Sequence, residues 1–560
     1  MFLKAQRSRR RLAAVVLAAA LAVAGCGGSG GGGGTAADTL VVYTGQAGDW
    51  QLNFNPYSPT RIEGLGTIFE PLFFYNITGS SDPVKRLGES FEWNADGTVL
   101  SITTRAGATW TDGKPFTAKD VVFTLDMVAK TPTMNSVGYK GKATAIDDTH
   151  LTVTFDEPSY LVGPQVLGRT WIVPEHLWGQ LSDPATDVIA TPVGTGPFQL
   201  DEFKAQAFTL KANEGYHSGA PAVKKIRYLS LSGNQAGADA LKAGQVDWQT
   251  GPVPDIANVE KNYPGYKANT TPMNQAALLT CSNAALGCEG PQTDPAVRKA
   301  VHYALNRTQV NSLAFENTAS EISPGFALLG RDDDVISSKL AERTAPMQPD
   351  TAKAGQLLEG AGYAKGGDGF YAKDGRQLAL NVKVVAGWTD YITALDTMTQ
   401  QLQQAGIKLN VQQSSWNEWA DARGQGKYQL IIDSLYQGPA ADPFYLYSYF
   451  FATSSTAPVG QTATPNFARV SDPAIDAALD ALKAINPEDT AARQPHLDAI
   501  QTRVEETVPY IPLLTAGTTS EYNAKKFTGW PDESNPYAFF AVWSAPDNSE
   551  IYRTLKPAGQ

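Results

Sequence analysis

Hydrophobic and polar positions change period several times along the chain. The runs Leu40-Val41-Val42-Tyr43, Leu100-Ser101-Ile102 and the alternating Leu151-Thr152-Val153-Thr154-Phe155 have the character of short strands. Asp96-Gly97 lies between two such runs and marks a hairpin turn, and Asp112-Gly113 marks a second. Thr117-Ala118-Lys119-Asp120 then opens a helix, with Thr117 as N-cap and Asp120 as the acidic third residue, leading into Val121, Val122, Leu125 and Val128.

Further on, Asp294-Pro295 offers an N-cap followed by proline at the first helical position. Ala296, Val297, Ala300, Val301, Ala304 and Leu305 follow at helical spacing, which predicts a helix from 295 to about 307. Gly360 to Gly369 reads as loop, and Asp374-Gly375 joins two strand-like runs. Leu378 to Val385 is a strand, Thr389 to Ala405 a helix stopped by Gly406, and Ile407 to Val411 the next strand. That succession implies a parallel βαβ unit in a mixed α/β body. The body has no internal repeat.

Composition narrows the class. The 560 residues, 42% hydrophobic and 18% charged with three cysteines, are too apolar for disorder and too poor in cysteine for a disulfide scaffold. The length predicts two to four lobes. The formal charge is −11, and the leader's Lys4, Arg7, Arg9, Arg10 and Arg11 contribute +5 of it, which leaves −16 on the rest of the chain. Nucleic acid is therefore excluded as a partner, since phosphate binding needs a basic face.

The leader reads as a signal peptide over 1–25. A basic segment precedes the 13 apolar residues Leu12 to Ala24, which as a helix cover about 20 Å and fall short of the ~30 Å hydrocarbon core. Val23-Ala24-Gly25-Cys26 closes it and resembles the bacterial lipobox, which implies a lipid on Cys26 and cleavage before it. Residues 26–38 are a glycine-rich tether with an r.m.s. reach of roughly 20 Å. Ser8-Arg9-Arg10 weakly resembles a twin-arginine export signal, and the export route stays open. Cys281 and Cys288, in an exported chain, read as a disulfide, with two free buried thiols as the alternative.

Catalytic patterns are missing. His150, His176, His217, His302 and His496 are scattered without metal-ligand spacing, and there is no P-loop, dinucleotide-binding glycine pattern or nucleophile elbow. Gly194-Thr195-Gly196-Pro197 reads as a tight turn, because its proline lacks the N–H a phosphate cradle would use. Asp332-Asp333-Asp334 reads as a solvated charge run. The expectation is a protein that is not an enzyme and carries no cofactor and no metal.

Several segments, in order across nearly the whole chain after the tether, resemble the bacterial extracellular solute-binding proteins of family 5, the oligopeptide, dipeptide and nickel type. They are Leu87-Gly88-Glu89-Ser90-Phe91-Glu92-Trp93, then Trp110-Thr111-Asp112-Gly113-Lys114-Pro115-Phe116-Thr117-Ala118-Lys119-Asp120-Val121, then Gly194-Thr195-Gly196-Pro197-Phe198 with Asn213-Glu214-Gly215-Tyr216, and Asp294-Pro295-Ala296-Val297-Arg298-Lys299-Ala300 with Asn306-Arg307. The resemblance implies a two-lobed α/β fold of the periplasmic-binding-protein type II (Venus flytrap) kind with an enlarged first lobe. By analogy lobe I spans 39–280 plus 515–560 and lobe II 281–514. It implies a monomer, anchored by lipidated Cys26 to the outer face of the cell membrane, that encloses a ligand between lobes and hands it to an ABC permease driven by ATPase subunits. Hinge closure needs no catalytic group.

The ligand is an oligopeptide or an oligosaccharide. Peptide-binding relatives commonly place an aspartate shortly after a Gly-Trp, whereas Leu435-Tyr436-Gln437-Gly438-Pro439-Ala440-Ala441-Asp442-Pro443 puts Pro439 in that place. Ala457-Pro458-Val459-Gly460-Gln461 with Asn466-Phe467-Ala468-Arg469 resembles the branch that includes cello-oligosaccharide binders. Trp388, Trp416 and Trp419 lie beside strand ends, where aromatic faces could cover a sugar ring, and Tyr436, Gln437, Asn466 and Arg469 could contact the ligand. Core tryptophans and a surface salt bridge at Arg469 are the alternatives for these residues. Trp93 and Trp110 read as structural. From other classes, a lipid-anchored cell-wall hydrolase and a peptide-sensing co-receptor remain as readings.

Overall fold

A computed structural model describes residues 38–44, 49–58, 61–79, 81–131, 133–135, 139–251, 253–463 and 465–559, and the backbone alone for Asn234, Trp416 and Asn417. The expected signal peptide, Cys26 and the expected tether as far as residue 37 lie outside these residues. Its centre is a ten-stranded mixed sheet. In chain order the strands are β1 (Thr39–Tyr43), β2 (Phe198–Lys204), β3 (Ala207–Ala212), β4 (Lys225–Leu229), β5 (Trp248–Thr250), β6 (Tyr266–Thr280), β7 (Ala379–Val385), β8 (Lys408–Ser414), β9 (Leu430–Leu435) and β10 (Tyr510–Asn523). Their spatial order is β8-β7-β9-β6-β10-β5-β1-β4-β3-β2.

Two of these strands explain why the molecule has two lobes. β6 has 15 residues and β10 has 14, paired antiparallel from Tyr266 against Asn523 to Leu279 against Tyr510. At ~3.3 Å per residue such strands run about 45 Å, longer than one core needs. One end serves a core of Leu40, Val42, Phe208, Trp248 and Tyr552, and the other a core of Leu278, Val301, Val382 and Leu514. The register shifts at Pro272/Asn274 and again at Ala276/Ala277, along the stretch that joins the two.

The first lobe is enlarged by an antiparallel sheet of Gly88–Trp93, Val99–Thr104, His150–Thr154 and Lys142–Ala145, covered by α1 (Ala118–Lys130). α1 starts where the sequence places it: Thr117 accepts from the Lys119 amide, and Asp120 reaches back to the Thr117 amide at 2.9 Å. Trp110 is buried in this layer's core. The turn at Gly194 and Gly196 packs directly on Thr67 and Ile68, where an added Cβ would meet main-chain atoms at 1.9 and 2.1 Å. Close backbone approach is what those glycines serve.

In the second lobe the helix beginning at Pro295 stops earlier than its periodicity suggests. It becomes α2 (Pro295–Ala304) and α3 (Arg307–Ala314), because Leu305 turns extended and Asn306 caps the second helix by accepting from the Gln309 amide. Asp332 departs further from expectation. It is not solvated: Arg331 binds both its oxygens at 2.7 Å and the Leu328 amide donates to it. Cys281 and Cys288 are joined by a disulfide with Cα atoms 5.4 Å apart.

The remaining helices set the geometry of this lobe. α4 (Thr389–Gln404) links β7 to its parallel neighbour β8, and α5 (Trp416–Gln425) carries the chain back across β7 to β9, also parallel to β7. The two connections run in opposite directions, so right-handed crossovers put their helices on opposite faces. α4 accordingly packs Leu395, Met398 and Leu402 onto Leu380, Val382 and Val384, while α5 and α6 (Pro443–Phe451) pack on the face of Ile431 and Leu435.

Candidate functional site

Where neighbouring connections leave a sheet in opposite directions, a crevice opens at the carboxyl ends of the strands. Here that point is the end of β7, and the sequence-derived residues gather around it. Trp388 follows β7 as the N-cap residue of α4, Trp416 follows β8 as the first residue of α5, and Tyr436 and Gln437 follow β9. Half-buried Trp388 packs against both cores, one on each face of the sheet. Its ring meets Trp419 edge-on at 5.0 Å and Tyr391 at 5.7 Å. The side chain of Trp416 lies outside the described residues.

Beneath Trp388 the Arg423 guanidinium lies between the rings of Trp419 and Phe467, 4.5 and 4.4 Å from their centroids, and is ion-paired with Asp433. Burial raises the Asp433 carboxyl above its usual range and Arg423 pulls it back. Tyr436 is 50% exposed and stands beside Tyr449 and Phe450, with centroids at 5.3 and 5.1 Å.

Elements of the first lobe close over this edge. The Tyr445 hydroxyl donates to the Leu161 carbonyl at 2.9 Å, and the Gln165 amide donates to the Tyr449 hydroxyl at 2.7 Å. Arg331 donates to the Ile77 carbonyl at 3.2 Å and to Gln437 Oε1 at 3.0 Å, and Gln437 Nε2 in turn donates to the Met273 carbonyl at 3.4 Å. Tyr75 packs against the cores of both lobes. Phe539 joins Ile77, Met273 and Leu328 in a small cluster, and Trp543, 45% exposed, rests edge-on against Phe539. The seam is thus lined by aromatic rings, phenols and carboxamides.

Three of the expected contacts belong to the interior instead. Asn466 is fully buried: its amide donates to the carbonyls of Ala452 and Val470, and its Oδ1 accepts from the Val470 amide. Arg469, also fully buried and at φ 60°, donates to the carbonyls of Gly424, Gln461 and Phe467. Both are fastened to main chain, so neither faces a ligand nor forms a surface salt bridge. Trp419 is 1% exposed and its faces are taken by Trp388 and Arg423, which makes it a support for Trp388 and not a platform. Sequence reasoning missed Gln165, Arg331, Tyr445, Tyr449 and Trp543. The alternating tyrosines of Tyr445-Leu446-Tyr447-Ser448-Tyr449 were the one available signal.

Asp442, beside Pro439, caps α6 by accepting from the Phe444 amide and binds Arg493 through both oxygens at 2.7 and 2.9 Å. Among the described residues no group of three His, Cys, Asp or Glu could hold a metal ion, and no helix is long and apolar enough to cross a membrane.

Comparison with known proteins gives the geometry a context. The family model "Bacterial extracellular solute-binding proteins, family 5 Middle" matches residues 82–457. Protein XP55 of Streptomyces lividans is 27% identical over 395 residues, 69% of this chain and 68% of its own length. The nickel-binding periplasmic protein of Escherichia coli is 24% identical over 485 residues, covering 83% of this chain and 87% of that one. Among solved structures, a periplasmic oligopeptide-binding protein of Thermotoga maritima with bound mannohexaose superposes with a TM-score of 0.78 at 24% identity, over 93% of this chain and 99% of its own.

Proposed function

The chain belongs to the bacterial extracellular solute-binding proteins of family 5, the substrate-binding components of ABC transporters, and from that membership we propose that it captures a neutral oligosaccharide between its lobes. The observation that carries this reading is the state of charge at the seam. Three carboxylates on the surrounding elements, Asp332, Asp433 and Asp442, are each neutralised by an arginine: Arg331, Arg423 and Arg493. A peptide's ammonium group would need one of them free, or would fall to Asp390 in the first turn of α4, which no arginine holds among the described residues. What the rim offers instead is the rings of Trp388, Tyr436 and Trp543, groups that cover a pyranose face, while Gln437 is buried with its amide spent on Arg331 and the Met273 carbonyl. The sugar-bound Thermotoga relative, named for oligopeptides, supports the same choice.

In this reading the lobes are 39–280 plus 515–560 and 281–514, and the ligand is released to a membrane permease. Lipid on Cys26 and the tether over 26–38 keep the protein at the outer face of the cell membrane. The test is a melting experiment on the full chain, followed by intrinsic tryptophan fluorescence, with mannohexaose and cello-, xylo- and malto-oligosaccharides beside tri- to pentapeptides. A ligand at 100 times its Kd adds about 2.7 kcal/mol, a shift on the order of a few degrees. A shift with one saccharide series is the expected result. Shifts with peptides alone would sink the sugar reading and point to Asp390, an exposed carboxylate in the first turn of α4.

A further inference from the structure

Gln275 is a fully buried polar residue at the start of the buried half of β6. It is 0% exposed, and among the described residues neither its Oε1 nor its Nε2 has a hydrogen-bond partner. Leaving a carboxamide desolvated without a partner destabilises the fold. On its own face of the strand Ala277 and Leu279 are apolar, so a leucine at 275 would match them. The position therefore carries a cost the fold does not require.

The register says where the amide sits. β6 pairs with β9 without interruption from Gln275 against Leu435 to Thr280 against Leu430. Gln275 therefore shares a face with Ala277, Leu279, Ile431 and Leu435, which line the core that holds Leu161 and Tyr445. It stands opposite the last residue of β9, where the chain leaves the sheet as Tyr436 and Gln437, and two residues from Met273, whose carbonyl Gln437 binds. This is the bottom of the seam. The bonds of Tyr445 to Leu161 and of Arg331 to Ile77 join the lobes at this end of the sheet, so hinge opening there is the motion that would bare it.

We propose that Gln275 is the floor contact of the ligand cleft, its carboxamide kept free of protein partners so that it bonds a neutral group of the ligand carrying both a donor and an acceptor. A carboxylate could answer Nε2 alone and an ammonium Oε1 alone, whereas a pair of adjacent hydroxyls answers both, as does a peptide group, and the choice of saccharide comes from the reading of the seam. The inference rests on the reading of the seam as a saccharide site and adds a specificity-determining residue to it.

The test is Gln275→Leu in the full chain. Removing an amide that has no partner raises the melting temperature of the unliganded protein by a few degrees, while affinity for the saccharide that wild type binds, with mannohexaose as first probe, falls at least tenfold. A lower melting temperature without ligand, or an affinity within threefold of wild type, overturns the proposal, because either means the fold itself uses the amide. If Gln275→Leu does not fold, Gln275→Asn keeps the amide but withdraws it by one methylene, and the same tenfold loss is expected. Failure of the saccharide reading is separable. Should wild type bind peptides and no sugar, a tenfold loss of peptide affinity in Gln275→Leu keeps the floor contact while rejecting the sugar, and an unchanged affinity rejects both. Should wild type bind none of the probes, the melting temperature of the unliganded variant decides alone, a rise supporting the free amide and a fall overturning it.

Discussion

Two sets of buried arginines divide the second lobe. Arg298 and Arg307 belong to recognisable sequence signatures, and their guanidinium groups are spent on main-chain carbonyls: Arg298 on Gln292, Thr293, Thr507 and Val508, Arg307 on His302, Pro346 and Pro512. No carboxylate pairs with either among the described residues, and burial lowers them to about 10 and about 9. Arg331, Arg423 and Arg493 belong to no signature, and each holds an aspartate at the seam. The first set clamps the segment by which the chain enters β10. The second neutralises acid at the seam, so the motifs that identify the family mark its scaffold, and the proposed site draws on residues outside them.

The comparison breaks most visibly at Arg307. Arg307→Ala removes bonds to three carbonyls and leaves a cavity, and the expected loss is about 3 to 5 kcal/mol. Urea unfolding of the unliganded chain measures it. A loss below ~1 kcal/mol would mean the carbonyls find other donors and the clamp is incidental.

How much was legible follows the same division. The capping box at Thr117, the βαβ unit over 379–414 and the turn at Asp374-Gly375 are local, and period and turn chemistry specify them. Trp388 and Tyr436 stand after strand ends as expected, because strand ends are readable. Asn466 and Arg469 were misread because residue type does not tell whether polar atoms are already spent on backbone 8 to 45 residues away. Gln275 could not be found at all, since its meaning depends on which groups fail to reach it.

A second way to neutralise buried acid sharpens the contrast. Glu521 of β10, fully buried, has no arginine. One oxygen accepts from the Gln249 amide at 3.1 Å, the other has no partner, and burial raises the carboxyl to about 8. The folded state therefore keeps its proton up to about pH 8 while the unfolded chain releases it near 4.5. The folded state binds more protons between those values, so this contribution is full below pH 4.5, declines as pH rises towards 8 and is flat beyond it. Melting temperature across that window tests this: Glu521→Gln is expected to flatten the decline by the equivalent of a few kcal/mol. An unchanged profile would mean the carboxylate is ionised in the folded protein.

At the seam the effects move from stability to binding. Trp388→Ala removes the ring that straddles the two cores. The expected outcome is at least a tenfold weaker saccharide affinity by calorimetry, with a stability cost of about 1 to 2 kcal/mol because the ring is only half-buried. The reverse split, intact affinity with a loss near 4 kcal/mol, would move Trp388 to the scaffold beside Trp419.

The smallest effect tests whether the seam is a closing surface. Tyr449→Phe deletes the hydroxyl that accepts from Gln165 at 2.7 Å and leaves the ring against Tyr436. One neutral hydrogen bond is worth about 1 kcal/mol net, enough to change a closed-to-open ratio about fivefold while hardly moving the melting temperature. Small-angle scattering is the sensitive readout, since hinge opening enlarges the radius of gyration without unfolding either core. The variant without ligand is expected to be more extended than wild type, and saturating saccharide is expected to restore the compact form by supplying bonds the phenol no longer makes. If the unliganded variant and wild type scatter alike, the Gln165–Tyr449 bond stabilises a fixed contact, and the ligand must enter without these elements parting.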